Sequence, residues 1–184
     1  MSMLSRRTIV YASLAAVFMI GLGAFSTYVR WDVTHRPWEY DGWRRITWPF
    51  PRDGWDEGQA WRGHGLEVYV RPKLGFCGNC DTGVVDDSEV DRVTDIDLVD
   101  PLFTPVASGQ RIQITDLVGR SRIYKLRSRG SSQLAEAIAV SYRCDLVVAI
   151  VVGNVADEEL RRKARRFLEA DPVQDWINAQ LGEK

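Results

Sequence analysis

The sequence has few of the residues and none of the common motifs that identify an enzyme. It contains only two histidines, His35 and His64, in 184 residues. The G-x-S-x-G turn of hydrolases, the phosphate-binding P-loop and the H-E-x-x-H zinc motif are all absent. Both histidines precede the region expected to form the core, where a general base is held most rigidly. Although carboxylates alone can perform acid–base chemistry, the sequence favours a protein that is not an enzyme.

The sequence also lacks an excess of positive charge. It carries 24 basic and 25 acidic residues, for a net charge of −1. Residues 30–184 hold all the acids and all the basic residues except Arg6 and Arg7, so this part has a net charge near −3. Because nucleic-acid-binding domains are strongly basic, no nucleic-acid partner is expected.

The longest uncharged run extends from Thr8 to Val29. Its 22 residues would make a helix about 33 Å long, enough to cross a hydrocarbon core about 30 Å thick. We therefore predict a cytoplasmic tail at residues 1–7, a single transmembrane anchor at residues 8–29, and the lipid bilayer as one partner.

The orientation of this anchor follows from its flanks. Arg6 and Arg7 precede the run and no acid accompanies them, which favours a cytoplasmic N-terminus. The rest of the chain would then lie outside the inner membrane, in the periplasm. A cleaved signal peptide is the alternative, but Leu22-Gly23-Ala24 fits a cleavage site only in part and the apolar run is longer than usual.

Six of the seven tryptophans lie between residues 30 and 65, among prolines and glycines. Their spacing of five to seven residues matches neither a helix face nor strand alternation, and proline interrupts both elements. We therefore predict an extended juxtamembrane arm over residues 30–65. Trp31 and Trp38 would sit at the membrane interface. The remaining four would either cover the domain or contact a partner protein: Trp43, Trp48, Trp55 and Trp61.

Residues 66–184 are predicted to form one extracytoplasmic domain of the α+β class, a small mixed-sheet α/β sandwich. Alternation and β-branched residues predict strands, and apolar periodicity with capping residues predicts helices. The predicted strands are 66–70, ended by Pro72, then 90–99, a hairpin of 111–115 with 122–127 around Gly119, and the fully buried 145–152. The predicted helices are 131–142, 156–169 and 171–181.

Cys77-Gly78-Asn79-Cys80 is the one motif with defined chemistry. Covalent haem is excluded because Asp81, not histidine, follows the second cysteine. A thioredoxin-like redox centre needs a helix N-terminus at the first cysteine, and the acidic sequence that follows is a poor helix start.

Two further interpretations of the motif remain. Cys77 and Cys80 could join Cys144 and His64 as four zinc ligands. Alternatively, the pair forms a structural disulfide in an oxidising compartment, with Cys144 a buried thiol at the start of its strand. Zinc is the only cofactor that the sequence suggests.

Eight acidic residues crowd between Asp81 and Asp100, with Arg92 as the only basic residue. The ligand order of a calcium-binding EF-hand is absent. We therefore interpret Asp91, Asp95 and Asp97 as a solvated strand edge that discourages aggregation, with an acidic docking patch as the alternative.

These features give two functional hypotheses. The first is a single-pass, membrane-anchored accessory or assembly protein whose periplasmic domain binds a larger membrane protein complex. The second is a membrane-tethered thiol–disulfide or metal-binding protein that uses Cys77 and Cys80.

Overall fold

A computed structural model describes residues 38–51, 53–75, 84, 86–128 and 131–182. The predicted anchor at 8–29, Trp31, and the motif cysteines Cys77 and Cys80 lie outside these residues. Within the described ranges, no helix is both long and apolar enough to cross a membrane.

One antiparallel sheet of nine strands dominates the compact unit Glu39–Lys184. Its strands are β1 (Glu39–Tyr40), β2 (Trp43–Ile46), β3 (Gln59–Gly63), β4 (Leu66–Lys73), β5 (Phe103–Pro105), β6 (Gln110–Ile114), β7 (Leu117–Ser128), β8 (Ser131–Tyr142) and β9 (Asp145–Gly153). The order is β1-β2-β3-β4-β9-β8-β7, and β5 and β6 share the outer edge of β7. The predicted mixed-sheet sandwich is therefore wrong, because every described strand pair is antiparallel.

Four helices cover the two faces of this sheet: α1 (Asp87–Val93), α2 (Ile96–Val99), α3 (Glu158–Leu168) and α4 (Asp171–Gly182). Alternate residues of a strand point to opposite faces. On one face, Ala137 and Val148 form a core with Val90 of α1 and Ile96 of α2. On the other face, Ile138, Val147 and Ala149 line an apolar seam with Leu168 of α3 and Ile177 of α4.

Residues 131–142 form strand β8 and not the predicted helix. All twelve residues of β8 pair, from Ser131 with Ser128 to Tyr142 with Asp145. Alanine and glutamate favour helix in isolation, but sheet burial overrides such weak preferences. Ala135, Ala137 and Ala139 are fully buried where α1 and α2 pack on the sheet. Their small side chains leave room for these covering helices.

Residues 90–99 form the end of α1, a break at Thr94 and Asp95, and helix α2, and not the predicted strand. Asp86 caps α1 by accepting from the Glu89 backbone N–H at 2.9 Å, and the Glu89 side chain accepts from the Asp86 N–H at 3.3 Å. This reciprocal capping box satisfies two amide groups that would otherwise lack partners. The sequence Asp86-Asp87-Ser88-Glu89 carries its signature, which the strand prediction overlooked.

Other predicted elements are confirmed with adjusted bounds. Strand β9 is buried along its whole interior, and helices α3 and α4 lie at the predicted positions. Strand β4 continues through Pro72, which pairs with Val147. The β6–β7 hairpin forms, but Gly119 lies inside β7 opposite Ile112, so the turn comes before it.

The predicted arm at residues 30–65 is wrong where the structure describes it. Strands β1, β2 and β3 lie within it and pair in sequence, and β3 continues the sheet to β4. Residues 39–65 are therefore part of the folded unit.

Candidate interaction surface

Two of the four tryptophans proposed as partner contacts are core residues. Trp43 and Trp61 are each 1% exposed. Trp43 stacks on Phe167 of α3 with ring centroids 4.5 Å apart, and Trp61 meets the same ring edge-on at 5.3 Å. The proposal of partner contact is therefore wrong for both, because no partner reaches them in the folded domain.

Trp48 and Trp55 are half-buried and pack against the cationic end of β4. The Arg71 guanidinium lies over the Trp48 ring at 5.0 Å, and the Lys73 ammonium lies over the Trp55 ring at 5.4 Å. Trp48 also contacts the edges of Phe50 and Tyr69. These tryptophans shield two buried charges of their own domain. Because both rings are only half-buried, their contact with a partner protein stays a prediction.

Arg71 and Lys73 are nearly inaccessible, at 1% and 4% exposure. The Arg71 Nη1 donates to Asp53 at 2.6 Å and to Asp95 at 3.3 Å. The Lys73 Nζ donates to the other Asp95 oxygen at 2.5 Å and to the Val93 carbonyl at 2.8 Å. Two cations face two carboxylates, so this cluster is neutral and tightly paired.

Burial raises the pKa of the Asp95 carboxyl, and the neighbouring Lys73 and Arg71 offset part of that rise. Asp95 also has a left-handed backbone, with φ at 58°. A buried ion-pair cluster perturbs carboxyl pKa values whether or not it is catalytic. The cluster of Arg71, Lys73, Asp53 and Asp95 joins α2 and Asp53 to strand β4, which is a structural role.

Asp91 and Asp95 attach helices to the sheet, so the predicted solvated strand edge is wrong for both, whereas Asp97 is exposed. Asp87, Asp91 and Asp95 recur every four residues, which places the first two on one side of α1. Arg120 Nε donates to Asp87 at 2.6 Å, and Arg122 Nη1 donates to Asp91 at 2.6 Å. These acids therefore attach α1 to β7, just as Asp95 reaches β4.

Hydrogen bonds between α1 and the rest of the domain shift the pKa values of Tyr124 and Asp87. The Tyr124 hydroxyl donates to Asp91, and burial together with this bond raises the tyrosine pKa. The Gly109 N–H and the Arg120 guanidinium lower the pKa of the Asp87 carboxyl. Both shifts reflect internal packing of α1 on the sheet.

Cys144 and His64 lie at opposite ends of the β4–β9 pair. His64 follows β3, while Cys144 directly precedes Asp145 at the start of β9. The intervening ladder from Glu67 to Lys73 is about 20 Å long at about 3.4 Å per residue. Ligands of one zinc ion lie about 2.0–2.3 Å from it, so a single site holding both residues is ruled out.

His64 and Cys144 each have a local role. The His64 Nε2 is 2.9 Å from the Asp41 carbonyl oxygen, and its ring meets the Trp43 ring edge-on at 5.4 Å. Cys144 is disulfide-bonded and exposed. The expectation of a buried, free Cys144 thiol is therefore wrong. Cys77 and Cys80 lie outside the described residues. Because they are the only other cysteines of the chain, a disulfide within the chain at Cys144 excludes the predicted Cys77–Cys80 disulfide.

The most exposed large apolar side chains of the described residues flank β5. Leu102 is 66% exposed and Val106 is 56% exposed. Among the described strands, β5 and its neighbour β6 pair only with β7, so their outer edges are open. We name the segment from Leu102 to Val106 the β5 edge.

Hydrogen bonds fix the backbone of the β5 edge. Leu102 N–H donates to the Asp100 side chain at 2.8 Å, and Val106 N–H donates to the Ile123 carbonyl at 2.9 Å. Between them, Phe103 is buried and pairs with Leu126. The backbone that carries the two exposed side chains is thus fixed, and a fixed backbone lowers the entropy cost of binding at such a surface.

The sequence predictions missed this surface. Pro101-Leu102-Phe103-Thr104-Pro105-Val106 is a short apolar stretch between two prolines, and proline in a strand indicates an edge position. That signal points to an edge strand. It does not show which of the apolar side chains are buried, because exposure depends on the pairing of β5 with β7.

No family model matches the chain, and no curated protein matches it.

Proposed function

We propose that this protein is a single-pass, membrane-anchored accessory protein whose folded unit binds a larger membrane protein complex through the β5 edge. The observation that carries the proposal is the pair of exposed side chains, Leu102 and Val106, on a backbone fixed by hydrogen bonds. An open strand edge can accept an extended segment of a partner through main-chain hydrogen bonds, and side chains beside the edge then give specificity.

The most buried charges of the described residues are used in pairs within the domain. The most buried cations, Arg71 and Lys73, are paired with Asp53 and Asp95, and the acids of α1 face Arg120 and Arg122. Within the described residues, no group of three or more histidine, cysteine, aspartate or glutamate side chains has the arrangement of a metal site.

The location is also part of the proposal. The apolar run from Thr8 to Val29 would anchor the chain in the inner membrane, with the folded unit in the periplasm. The disulfide at Cys144 supports this placement, because disulfides persist in oxidising compartments and are rare in the cytosol.

The test is purification of the full-length chain, tagged at its C-terminus, in mild detergent with quantified mass spectrometry. We expect a fixed set of membrane proteins at constant ratio. The variant Leu102→Asp with Val106→Asp should lose these proteins, since each buried apolar side chain contributes about 1.5–3 kcal/mol.

Tyr40→Asp is the matched control. Tyr40 is 41% exposed and lies on β1, at the opposite edge of the sheet. The control should retain the partner. Equal retention by both variants would reject the β5 edge as the contact, and recovery of the wild-type chain alone would reject the accessory function itself.

A further inference from the structure

The open edge of the sheet continues from β5 into β6. The Val106 N–H donates to the Ile123 carbonyl of β7 at 2.9 Å, and Gln110 pairs with Ser121 of the same strand. Residues 107–109 bulge between these two contacts. Among the described strands, β7 is the only neighbour of both β5 and β6, so one continuous edge is open to a partner.

Strand β5 offers no main-chain N–H to an added strand. Alternate residues of a strand direct their main-chain groups to opposite sides. Because the Val106 N–H points to β7, the outward positions of β5 are Phe103 and Pro105. The Phe103 N–H donates to the Asp100 carbonyl at 3.1 Å, and proline has no N–H.

Regular alternation along β7 fixes the orientation of β6. The ladder between β7 and β8 runs unbroken from Val118 to Ser128. Ile123 bonds to the outer side of β7, because its carbonyl accepts from Val106. Gly119, four residues before Ile123, therefore directs its main-chain groups to the same side.

Strand β6 offers two outward residues. Ile112 pairs with Gly119, so its main-chain groups bond to β7. Its neighbours Arg111 and Gln113 therefore direct theirs away from the sheet, and both residues are exposed. Each supplies one N–H donor and one carbonyl acceptor, which is what an added strand needs.

The charge at β6 selects the chemistry of that strand. Arg111 lies directly opposite Arg120 in the ladder, and like charges in this position are destabilising. The Arg120 side chain is paired with Asp87 at 2.6 Å. Among the described residues, no carboxylate pairs with Arg111. A carboxylate on an added strand, opposite Arg111, would offset the repulsion.

We propose that the partner adds an extended segment as a strand to β6, with an aspartate or glutamate beside Arg111. This proposal rests on the function proposed above and names the chemistry of its partner. Arg111 and Val106 lie opposite Arg120 and Ile123 of β7, which are about 10 Å apart at about 3.4 Å per residue. One segment therefore reaches both β6 and the β5 edge.

Amide hydrogen exchange of Arg111 and Gln113 is the direct readout, measured by NMR on the full-length, ¹⁵N-labelled chain in detergent micelles. The probe is a blocked, threonine-rich peptide of about ten residues with one central glutamate, and the matched control carries lysine in its place. We expect the glutamate peptide to slow exchange at both amides by about tenfold or more, because pairing protects them from water. The Ile112 amide, already bonded to β7, should be unaffected and is the internal reference.

The other outcomes contradict the proposal. No protection of either amide would show that β6 accepts no strand, and equal protection by the lysine peptide would exclude a role for the carboxylate. Protection that rises with the concentration of the chain itself, without peptide, would identify a second copy as the occupant.

Variants test the same pairing in the purification described above. Gln113→Pro deletes the outward N–H, a change that an edge strand tolerates, and should lose the co-purifying membrane proteins. Gln113→Ala keeps that N–H and should retain them. Arg111→Glu leaves the main chain unchanged and should weaken binding of the glutamate peptide by about fivefold or more, so it tests the proposal even if Gln113→Pro does not fold.

Failure of this proposal is distinguishable from failure of the proposed function. If Leu102→Asp with Val106→Asp loses the partner and Gln113→Pro keeps it, the β5 edge is the contact and strand addition at β6 is wrong. If the wild-type chain is recovered alone, the accessory function is rejected, and exchange at Arg111 and Gln113 still decides whether β6 accepts an acidic segment.

Discussion

At the scale of single residues, large aromatic and charged side chains mainly join parts of the same domain. Trp43 reaches across to Phe167 on α3, and Asp87 reaches across to Arg120 on β7. Composition alone suggested a tryptophan-rich binding arm and a solvated acidic edge. Those predictions failed because residue type does not determine exposure, which depends on the strand that carries the residue and on what covers it.

Trp43→Ala should destabilise the folded unit strongly. The indole is 1% exposed and stacked, and removing a buried aromatic ring costs about 3–5 kcal/mol. Tyr40→Ala is the matched control, because Tyr40 is the strand partner of Trp43 but is 41% exposed. Chemical denaturation of the full-length chain measures both free energies of unfolding. Equal losses would contradict the core position of Trp43.

Asp87→Asn should make the stability of the folded unit depend less on pH in the acidic range. The Gly109 N–H and Arg120 lower the folded-state pKa of Asp87 below the ordinary value of 3.8. As the pH falls, the unfolded chain therefore takes up a proton at Asp87 at a higher pH than the folded chain does. The Asp87 carboxylate stabilises the fold above pH 3.8, and this stabilisation is lost as the pH falls through the lowered folded-state pKa.

The measurement is unfolding midpoint against pH from neutral to strongly acidic. Exposed Asp97→Asn serves as the control and should keep the wild-type acid slope. If Asp87→Asn loses stability on acidification as steeply as the wild-type chain, then Asp87 does not hold α1 through a charged contact.

At the scale of elements, the sequence predicted most reliably those segments whose local signals agree with their burial. Strand β9 is an unbroken apolar, β-branched run, and α3 has an apolar stripe below a charged face. Strand β8 and helix α1 were assigned wrongly. The alanines of β8 prefer helix but pack under α1, and the apolar residues of α1 resemble a strand unless the capping residues Asp86 and Glu89 are weighed first.

Gly119 gives an element-scale test of the β7–β8 pairing. A Cβ at this position would lie 2.0 Å from the Ala139 carbonyl oxygen on β8, far inside contact distance. Gly119→Ala should therefore push the two strands apart and cost about 1–3 kcal/mol, as overpacking of a core does.

Gly182→Ala is the matched control, since a Cβ there meets no atom within 4 Å. Thermal unfolding of the full-length chain compares the two. If Gly119→Ala keeps the wild-type midpoint, residue 119 lies in a turn, as the sequence suggested, and not within a strand.

At the scale of the whole molecule, one antiparallel sheet separates two unlike helical layers. On one face, ion pairs of Asp87, Asp91 and Asp95 add to the apolar core that holds α1 and α2. Apolar side chains such as Phe167 and Ile177 hold α3 and α4 on the other. The four-residue spacing of the three acids was visible in the sequence, but their basic partners lie on distant strands and become apparent only from the topology.

The candidate surface was the least predictable feature. The β5 edge combines an open strand edge with two exposed apolar residues, and both properties follow from β5 ending the sheet. A sequence-derived list of strands does not give their order, so it does not reveal which strand is at the edge. The proposed binding function therefore depends on a property of the assembled sheet.

The most direct test of that function is photo-cross-linking of the full-length chain in intact cells, with a photoreactive amino acid at position 102 and, as the control, at position 40. The proposal predicts one discrete adduct with an integral membrane protein from position 102 and none from position 40. No adduct at position 102, or the same adducts from both positions, would contradict the assignment of the β5 edge as the surface that binds a membrane complex.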